Sequence, residues 1–243
     1  MSVSLIIPCR DEEKDIEFTV DQILNNIRVL NFEIILINDF SSDNTKEILK
    51  KISLKSEKIK VYENPVKGLG GAINKGIDET TKDYTCVFMA DSSDDIEDLN
   101  LYYDTAINFE VDAVLGSRFI DGSIVENYPK SKFFLNRFFN YFVKVLFLSN
   151  YNDFTNAFKL YKTESLKELK PIVSENFNIF LELPLKIISR NYKYKIVPIN
   201  WRNKRAGKAK FKIKELSSKY FFTLIYCFIE KILLKKTKEN FKD

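Results

Sequence analysis

The chain has no histidine at all among its 243 residues. That excludes imidazole general bases, Ser-His-Asp triads and His-ligated metal centres, and leaves carboxylate, lysine, tyrosine or cysteine for any proton transfer. Cysteine is nearly as sparse: Cys9, Cys86 and Cys227 lie far apart, with no zinc-like spacing. They read as small core residues and point to a reducing compartment. Seven glycines and six prolines leave no stretch that reads as a flexible linker. No uncharged apolar run is long enough to span a bilayer, the longest being 220–229. A first strand within a few residues of Met1 leaves no room for a signal peptide. The formal net charge is only +4, too small to argue for a nucleic-acid partner. What is present is a globular composition, 45% hydrophobic and 30% charged, with the basic residues crowded into the last third.

Strand-like and helix-like segments alternate. Apolar runs at 4–8, 33–38, 60–62, 84–89 and 113–117 read as strands. Ile16, Val20, Ile23, Leu24 and Ile27 recur at helical spacing, and a second helix carries Ile48 and Leu49. The second half adds an aromatic stretch at 133–148, a strand at 156–161, a helix at 177–190, a strand at 194–199 and a long helix at 213–236. The expected fold is α/β, a mostly parallel sheet with helices on both faces.

The run from Tyr84 to Met89 ends in three carboxylates, Asp91, Asp94 and Asp95. In open α/β sheets ligands bind beyond the carboxyl ends of the strands. Oxygen ligands there suit Mg²⁺ or Mn²⁺, and such an ion can grip a diphosphate. Asp94 and Asp95 also read as the start of a helix, whose dipole and free N–H groups favour carboxylates. Asp91 follows the strand directly and is the better ligand candidate. The first strand ends in Pro8-Cys9-Arg10-Asp11-Glu12, where Asp11 can instead be an N-cap. The second ends in Asn38-Asp39-Phe40-Ser41-Ser42-Asp43, where Asp39 is placed to accept from a base or ribose and Asp43 to cap a helix. The turn from Gly68 to Gly76 permits close backbone approach at a helix N-terminus, but its spacing is not that of a Walker A loop.

These clusters together resemble glycosyltransferase family 2, whose members have the GT-A fold, and within it the dolichol-phosphate mannose synthase group. Pro8 to Glu12 resembles the family's Pro-x-Tyr-Asn-Glu, Asn38 to Asp43 its Asp-Asp-Gly-Ser-x-Asp, and Gly68 to Gly76 its Gly-x-x-x-Ala-x-Asn-x-Gly. Met89-Ala90-Asp91 stands in place of its Asp-x-Asp. Gly116-Ser117-Arg118-Phe119 continues the likeness. Asp153-Phe154-Thr155-Asn156-Ala157-Phe158-Lys159 is similar to Asp-x-Thr-Ser-Gly-Phe-Arg, and Trp201 to Lys210 is similar to a basic Arg-x-x-Gly-x-Ser-Lys segment. Three departures matter: Met89 for the first aspartate, Arg10 for a tyrosine and Lys204 for an arginine.

The resemblance implies an inverting hexosyltransferase that uses a GDP- or UDP-hexose and Mg²⁺ or Mn²⁺. Pro8, Arg10, Asp11, Glu12, Asp39, Gly68, Asn74 and Ala90 would bind the donor, and Asp91 the metal. Arg118, Lys159, Lys204, Arg205, Lys208 and Lys210 would bind the phosphate of a polyprenyl phosphate acceptor, already ionised near neutral pH. Asp91, Asp153 and Lys159 would form the catalytic set. If the acceptor were instead a saccharide hydroxyl, Asp153 or Glu182 would have to act as base. An inactive nucleotide-binding partner is the third reading, supported by Met89. The expected organisation is a GT-A domain over residues 1–212 and an amphipathic helical tail over 213–243. Aromatic helix faces flanked by lysine suit a membrane interface. They suggest a cytoplasmic protein, peripheral on the inner face of the membrane, self-associating or partnered by an integral subunit.

Overall fold

A computed structural model describes residues 1–202 and 213–240. In chain order the elements are β1 (Val3–Cys9), α1 (Ile16–Asn26), β2 (Phe32–Asn38), α2 (Thr45–Ser53), β3 (Ile59–Glu63), α3 (Leu69–Glu79), β4 (Tyr84–Val87) and α4 (Ile96–Phe109). There follow β5 (Ala113–Ser117), β6 (Val125–Glu126), α5 (Lys130–Phe147), β7 (Lys159–Lys162), α6 (Thr163–Glu168), α7 (Ile179–Ser189), β8 (Tyr194–Pro198), β9 (Trp201–Arg202) and α8 (Ile213–Asn240).

Seven strands form one sheet in the order β3-β2-β1-β4-β7-β5-β8, and β6 pairs with β9 in a small second sheet. Every residue of β1 and β2 is buried, as expected for central parallel strands covered on both faces. Alternate residues feed two cores. Leu5, Ile7, Ile34 and Leu36 meet Val20, Ile23, Leu99 and Tyr102 on one side. Ile6, Ile35 and Ile37 meet Ile73, Ile77, Leu181 and Leu224 on the other.

The chain leaves β1 toward β2 and β3, then returns to place β4 on the opposite flank of β1. This reversal is the topological switch point at which open α/β sheets bind ligands. It sets the loop after β4 beside the loop after β1, with Phe88 N donating to Ile6 O.

Two strand expectations shift. β4 stops at Val87 because the Met89 amide turns away to the Asp94 carboxylate at 2.9 Å. β7 begins at Lys159 and runs antiparallel to both neighbours, since Asn156 bends the chain before it by bonding within its own turn. Among the described residues, no helix is long and apolar enough to cross a membrane.

Candidate active site

The loops after β1 and β2 are laced together. Asp11 sits in the left-handed region, φ 55°, and its carboxylate accepts from Ser42 N at 2.7 Å and Ser42 Oγ at 3.0 Å. Asp15, not Asp11, occupies the N-cap position of α1, so the capping alternative for Asp11 does not hold. Glu12 N donates to Thr45 Oγ1 at 2.8 Å. Asp43 accepts from Thr45 N at 3.0 Å and from Glu13 N at 3.3 Å, so it braces both loops. Pro8 is the next-to-last residue of β1 and leads Arg10 out to solvent at the strand end. Arg10 Nη1 lies 3.7 Å from Asp39 Oδ2. The buried Asp39 gives its other oxygen to Gly68 N at 2.8 Å and Asn64 Nδ2 at 2.7 Å.

The glycine turn serves packing against the chain itself. Gly68 has φ 130°, and a Cβ there would fall 2.5 Å from Glu175 O; a Cβ on Gly70 would fall 2.0 Å from Ser174 O. Gly70 N is spent on Glu175 O at 2.9 Å rather than left for an anion. Asn74 donates to Ile172 O at 3.5 Å, while its own carbonyl oxygen is buried with no partner among the described residues.

The loop after β4 separates three carboxylates into three tasks. Asp95 caps α4 by accepting from Glu97 N at 3.0 Å, as the helix-start reading anticipated. Asp94 holds the Met89 amide; burial pushes it up to about 7 against that hydrogen bond, and the nearby Asp91 charge adds to the rise. Asp91 is half-buried, with Oδ1 accepting from Ser93 N at 3.1 Å. Thr19 Oγ1 donates to Ala90 O at 2.7 Å and pins the loop to α1. A cavity of about 310 Å³ lies behind this loop, between α1 and the start of α4, and Asp91 is not part of its wall.

Just past the end of β5, Arg118 and Asp153 form a sealed bidentate pair at 2.8 and 2.7 Å, and Asp153 also accepts from the Arg118 amide at 3.0 Å. Both Asp153 oxygens are thereby engaged by Arg118, and the carboxylate is fully buried. Phe119, Tyr128 and Trp201 surround the guanidinium, with ring centroids 5.3 to 5.8 Å away. Lys159 corrects its expected role. It is only 1% exposed, and its ammonium donates to the carbonyls of Phe154, Asn156 and Phe180. Burial drives it down to about 7, so it is a core residue rather than a phosphate ligand. Glu182 is likewise fully buried and paired with Lys186 at 2.9 Å. Lys204, Arg205, Lys208 and Lys210 lie outside the described residues. Arg137 was not singled out in the sequence. It stands over Phe119 at 4.4 Å and donates to Asn152 O at 3.0 Å, half-exposed beside Arg118. Its signal is the one arginine among the aromatic residues of α5, which also carries three lysines.

The donor set decides whether a divalent ion fits. Among the described residues there is no group of three or more His, Cys, Asp or Glu able to cage a metal. Mg²⁺ and Mn²⁺ do not require one: a carboxylate or two, water and substrate phosphate oxygens complete their shell. The half-buried Asp91 carboxylate suits that requirement, whereas the Met89 thioether does not.

A family model described as Glycosyl transferase family 2 matches residues 4–170. The chain is 28% identical over 220 residues to a dolichol-phosphate mannosyltransferase of Pyrococcus furiosus, covering 89% of this chain and 61% of that protein. It is 23% identical to glycosyltransferase AglD of Haloferax volcanii, covering 84% of this chain and 34% of that protein. The chain thus spans about a third to three fifths of the length of these two relatives. A polyprenol monophosphomannose synthase of Mycolicibacterium smegmatis is 24% identical, with 85% and 79% covered. Among solved structures, glucosyl-3-phosphoglycerate synthase of Mycobacterium tuberculosis, in complex with Mn²⁺, UDP-glucose and phosphoglyceric acid, superposes with a TM-score of 0.70 at 17% identity. That superposition covers 93% of this chain and 79% of the other, and it shows a shared fold. With the matched model spanning the strand-end loops and the Arg118–Asp153 pair alike, the chain belongs to glycosyl transferase family 2.

Proposed function

We propose that this protein transfers a hexose from a UDP- or GDP-hexose to a polyprenyl phosphate, with inversion, while docked on the inner face of the membrane. The observation that carries the acceptor class is the commitment of the acceptor-side carboxylates. Asp153 spends both oxygens on Arg118, and Glu182 spends both on backbone amides. A saccharide hydroxyl needs a base to take its proton, and both groups are fully buried on these partners, out of reach of an acceptor. A phosphate acceptor is already ionised near neutral pH and needs only cations to receive it. The half-exposed Arg137 is placed to do so, beside Arg118.

Asp39 and Arg10 orient the nucleoside, the laced loops of Asp11 and Glu12 wall its crevice, and Ala90 and Asp91 face the diphosphate. A Mg²⁺ or Mn²⁺ ion bound to Asp91 would neutralise charge on the departing nucleotide. Lys204, Arg205, Lys208 and Lys210, which lie outside the described residues, would add positive charge for the acceptor phosphate.

Membrane docking is supported by two helices that lie side by side. Phe139 packs on Tyr220 and Phe147 on Phe228, each at 6.0 Å, in the same order along α5 and α8. Their outer faces leave Phe134, Phe138, Tyr141, Phe221, Phe222 and Ile229 exposed, Phe138 to 74%. α5 carries three lysines and an arginine and no acidic residue. An aromatic face flanked by cations suits an anionic bilayer interface.

The test is a transfer assay with labelled UDP- and GDP-hexoses, Mn²⁺, and either a polyprenyl phosphate in anionic vesicles or soluble saccharides. Label moving to the lipid is expected. Label moving only to saccharide would overturn the acceptor assignment, and no transfer from any donor would overturn the enzymatic reading.

A further inference from the structure

Glu182 and Lys186 lie one turn apart on α7, each fully buried, 2.9 Å from one another. Such a pair costs more in lost hydration than its attraction returns, unless additional hydrogen bonds satisfy both groups. Here those bonds all come from one segment of chain. Glu182 accepts from Val173 N at 3.0 Å and Ser174 N at 2.8 Å. Lys186 donates to Leu169 O at 3.1 Å and to Pro171 O. Four backbone groups between residues 169 and 174 therefore depend on two side chains of the neighbouring helix. Asn178 closes the far end of the segment, donating to Ser174 Oγ at 2.8 Å and Thr223 Oγ1 at 2.9 Å.

This segment is the one that lies on the glycine turn. Glu175 O receives Gly70 N at 2.9 Å, and Ile172 O receives Asn74 at 3.5 Å. The approach is so close that a Cβ on Gly70 would collide with Ser174 O. Two residues back, Gly68 N donates to the Asp39 carboxylate that faces Arg10. A continuous set of hydrogen bonds thus runs from α7 through the 169–175 segment and the glycine turn to the donor-side carboxylate.

We infer that Glu182, supported by Lys186, is a positioning residue for the nucleotide donor: it templates the segment that holds the glycine turn, and so sets donor affinity without touching the donor. This rests on the functional reading above. The sequence offered Glu182 as a possible base; its burial and its two amide partners give it a different task.

Glu182→Gln keeps the side-chain shape but sets an amide NH₂ against the segment's own N–H groups. Gly70→Ala disturbs the same contact from the opposite side and leaves the ion pair intact. The full chain and both variants are titrated with UDP and GDP in the presence of Mn²⁺, and backbone amide exchange is followed over residues 68–78. Both variants are expected to bind nucleotide at least fivefold more weakly, with a matching rise in donor KM, kcat changed less than twofold, and faster exchange in the turn. A folded Glu182→Gln protein with unchanged affinity and unchanged exchange would overturn the inference. If Glu182→Gln does not fold, unchanged affinity in Gly70→Ala overturns it equally. If the wild-type chain binds neither nucleotide, the functional reading fails separately. The exchange measurement then still decides the structural half: acceleration at 68–78 supports the templating of the glycine turn by Glu182, and its absence contradicts it.

Discussion

The two halves of this molecule treat charge in opposite ways. In the half built from β1 to β4, each buried carboxylate pairs with a cation that reaches solvent: Glu33 with Lys60, 40% exposed, and Asp39 with Arg10, 45% exposed. In the half from β5 onward the buried carboxylates Asp153 and Glu182 are in pairs sealed on both sides, Arg118–Asp153 and Glu182–Lys186, while aromatic rings of α5 and α8 stand outside. A pair with one open partner can exchange that partner for a ligand. A sealed pair is scaffold, because breaking it strands a charge in the interior. The first half is therefore built to bind a small polar molecule at its strand ends. The second is built to hold a shape and to offer an apolar surface.

The comparison can be broken most severely at Asp91. Asp91→Ala should lower hexosyl transfer by about a thousandfold or more, consistent with removing a preorganised electrostatic anchor, while leaving the circular dichroism spectrum unchanged. Loss of folded signal instead would mark Asp91 as structural. Next in size is the contrast between the two kinds of ion pair. Arg118→Met strands Asp153 and should cost about 3–5 kcal/mol in denaturant unfolding. Arg10→Met, beside the open pair, should cost less than about 1 kcal/mol. Equal losses would erase the distinction drawn here.

A smaller effect is expected at the aromatic face. Replacing Phe138, Phe142 and Phe222 together by Ser should weaken flotation with anionic vesicles by about tenfold, since each removes apolar area from the interface, without lowering the melting temperature. A drop in melting temperature would mean that the face is covered within the protein's own assembly. Smallest is a pH effect at Asp98. Burial lifts this carboxyl from its usual 3.8 to about 6, against a hydrogen bond from Asn200 N at 2.9 Å. A carboxyl raised on folding stabilises the protein below its unfolded pKa, and that contribution is lost as pH rises through 6. Asp98→Asn should flatten unfolding free energy between pH 4 and 6.5 by on the order of 1 kcal/mol. An unchanged slope would place the titration elsewhere.

Much of the first half was legible in the sequence, because its structure is local. Apolar runs become β1 and β2, helical spacing becomes α1, and the apolar run that ends at Met89 locates the end of β4 to within two residues, the strand itself stopping at Val87. Asp95 could be read as a cap because capping needs only the next two residues. Lys159 could not be read correctly. Nothing in Phe158-Lys159-Leu160 reveals that β7 runs antiparallel between two other strands, or that carbonyls from residues 154 and 180 converge on its ammonium. The same holds for Arg118, Asp153 and Glu182, whose partners are set by packing between distant elements. The glycine turn reads as a place of close backbone approach, but the sequence does not reveal that what approaches is a segment a hundred residues later.

The central claim is that a lone carboxylate after β4, without the second aspartate usual at that position, suffices to anchor a nucleoside diphosphate through a divalent ion. Its most direct test is calorimetric titration of UDP and of GDP into wild-type and Asp91→Ala protein, each with and without Mn²⁺. The account predicts that Mn²⁺ tightens binding of the cognate nucleotide to the wild type by at least tenfold, about 1.4 kcal/mol, and has no effect on the variant. The same Mn²⁺ enhancement in both proteins would contradict it.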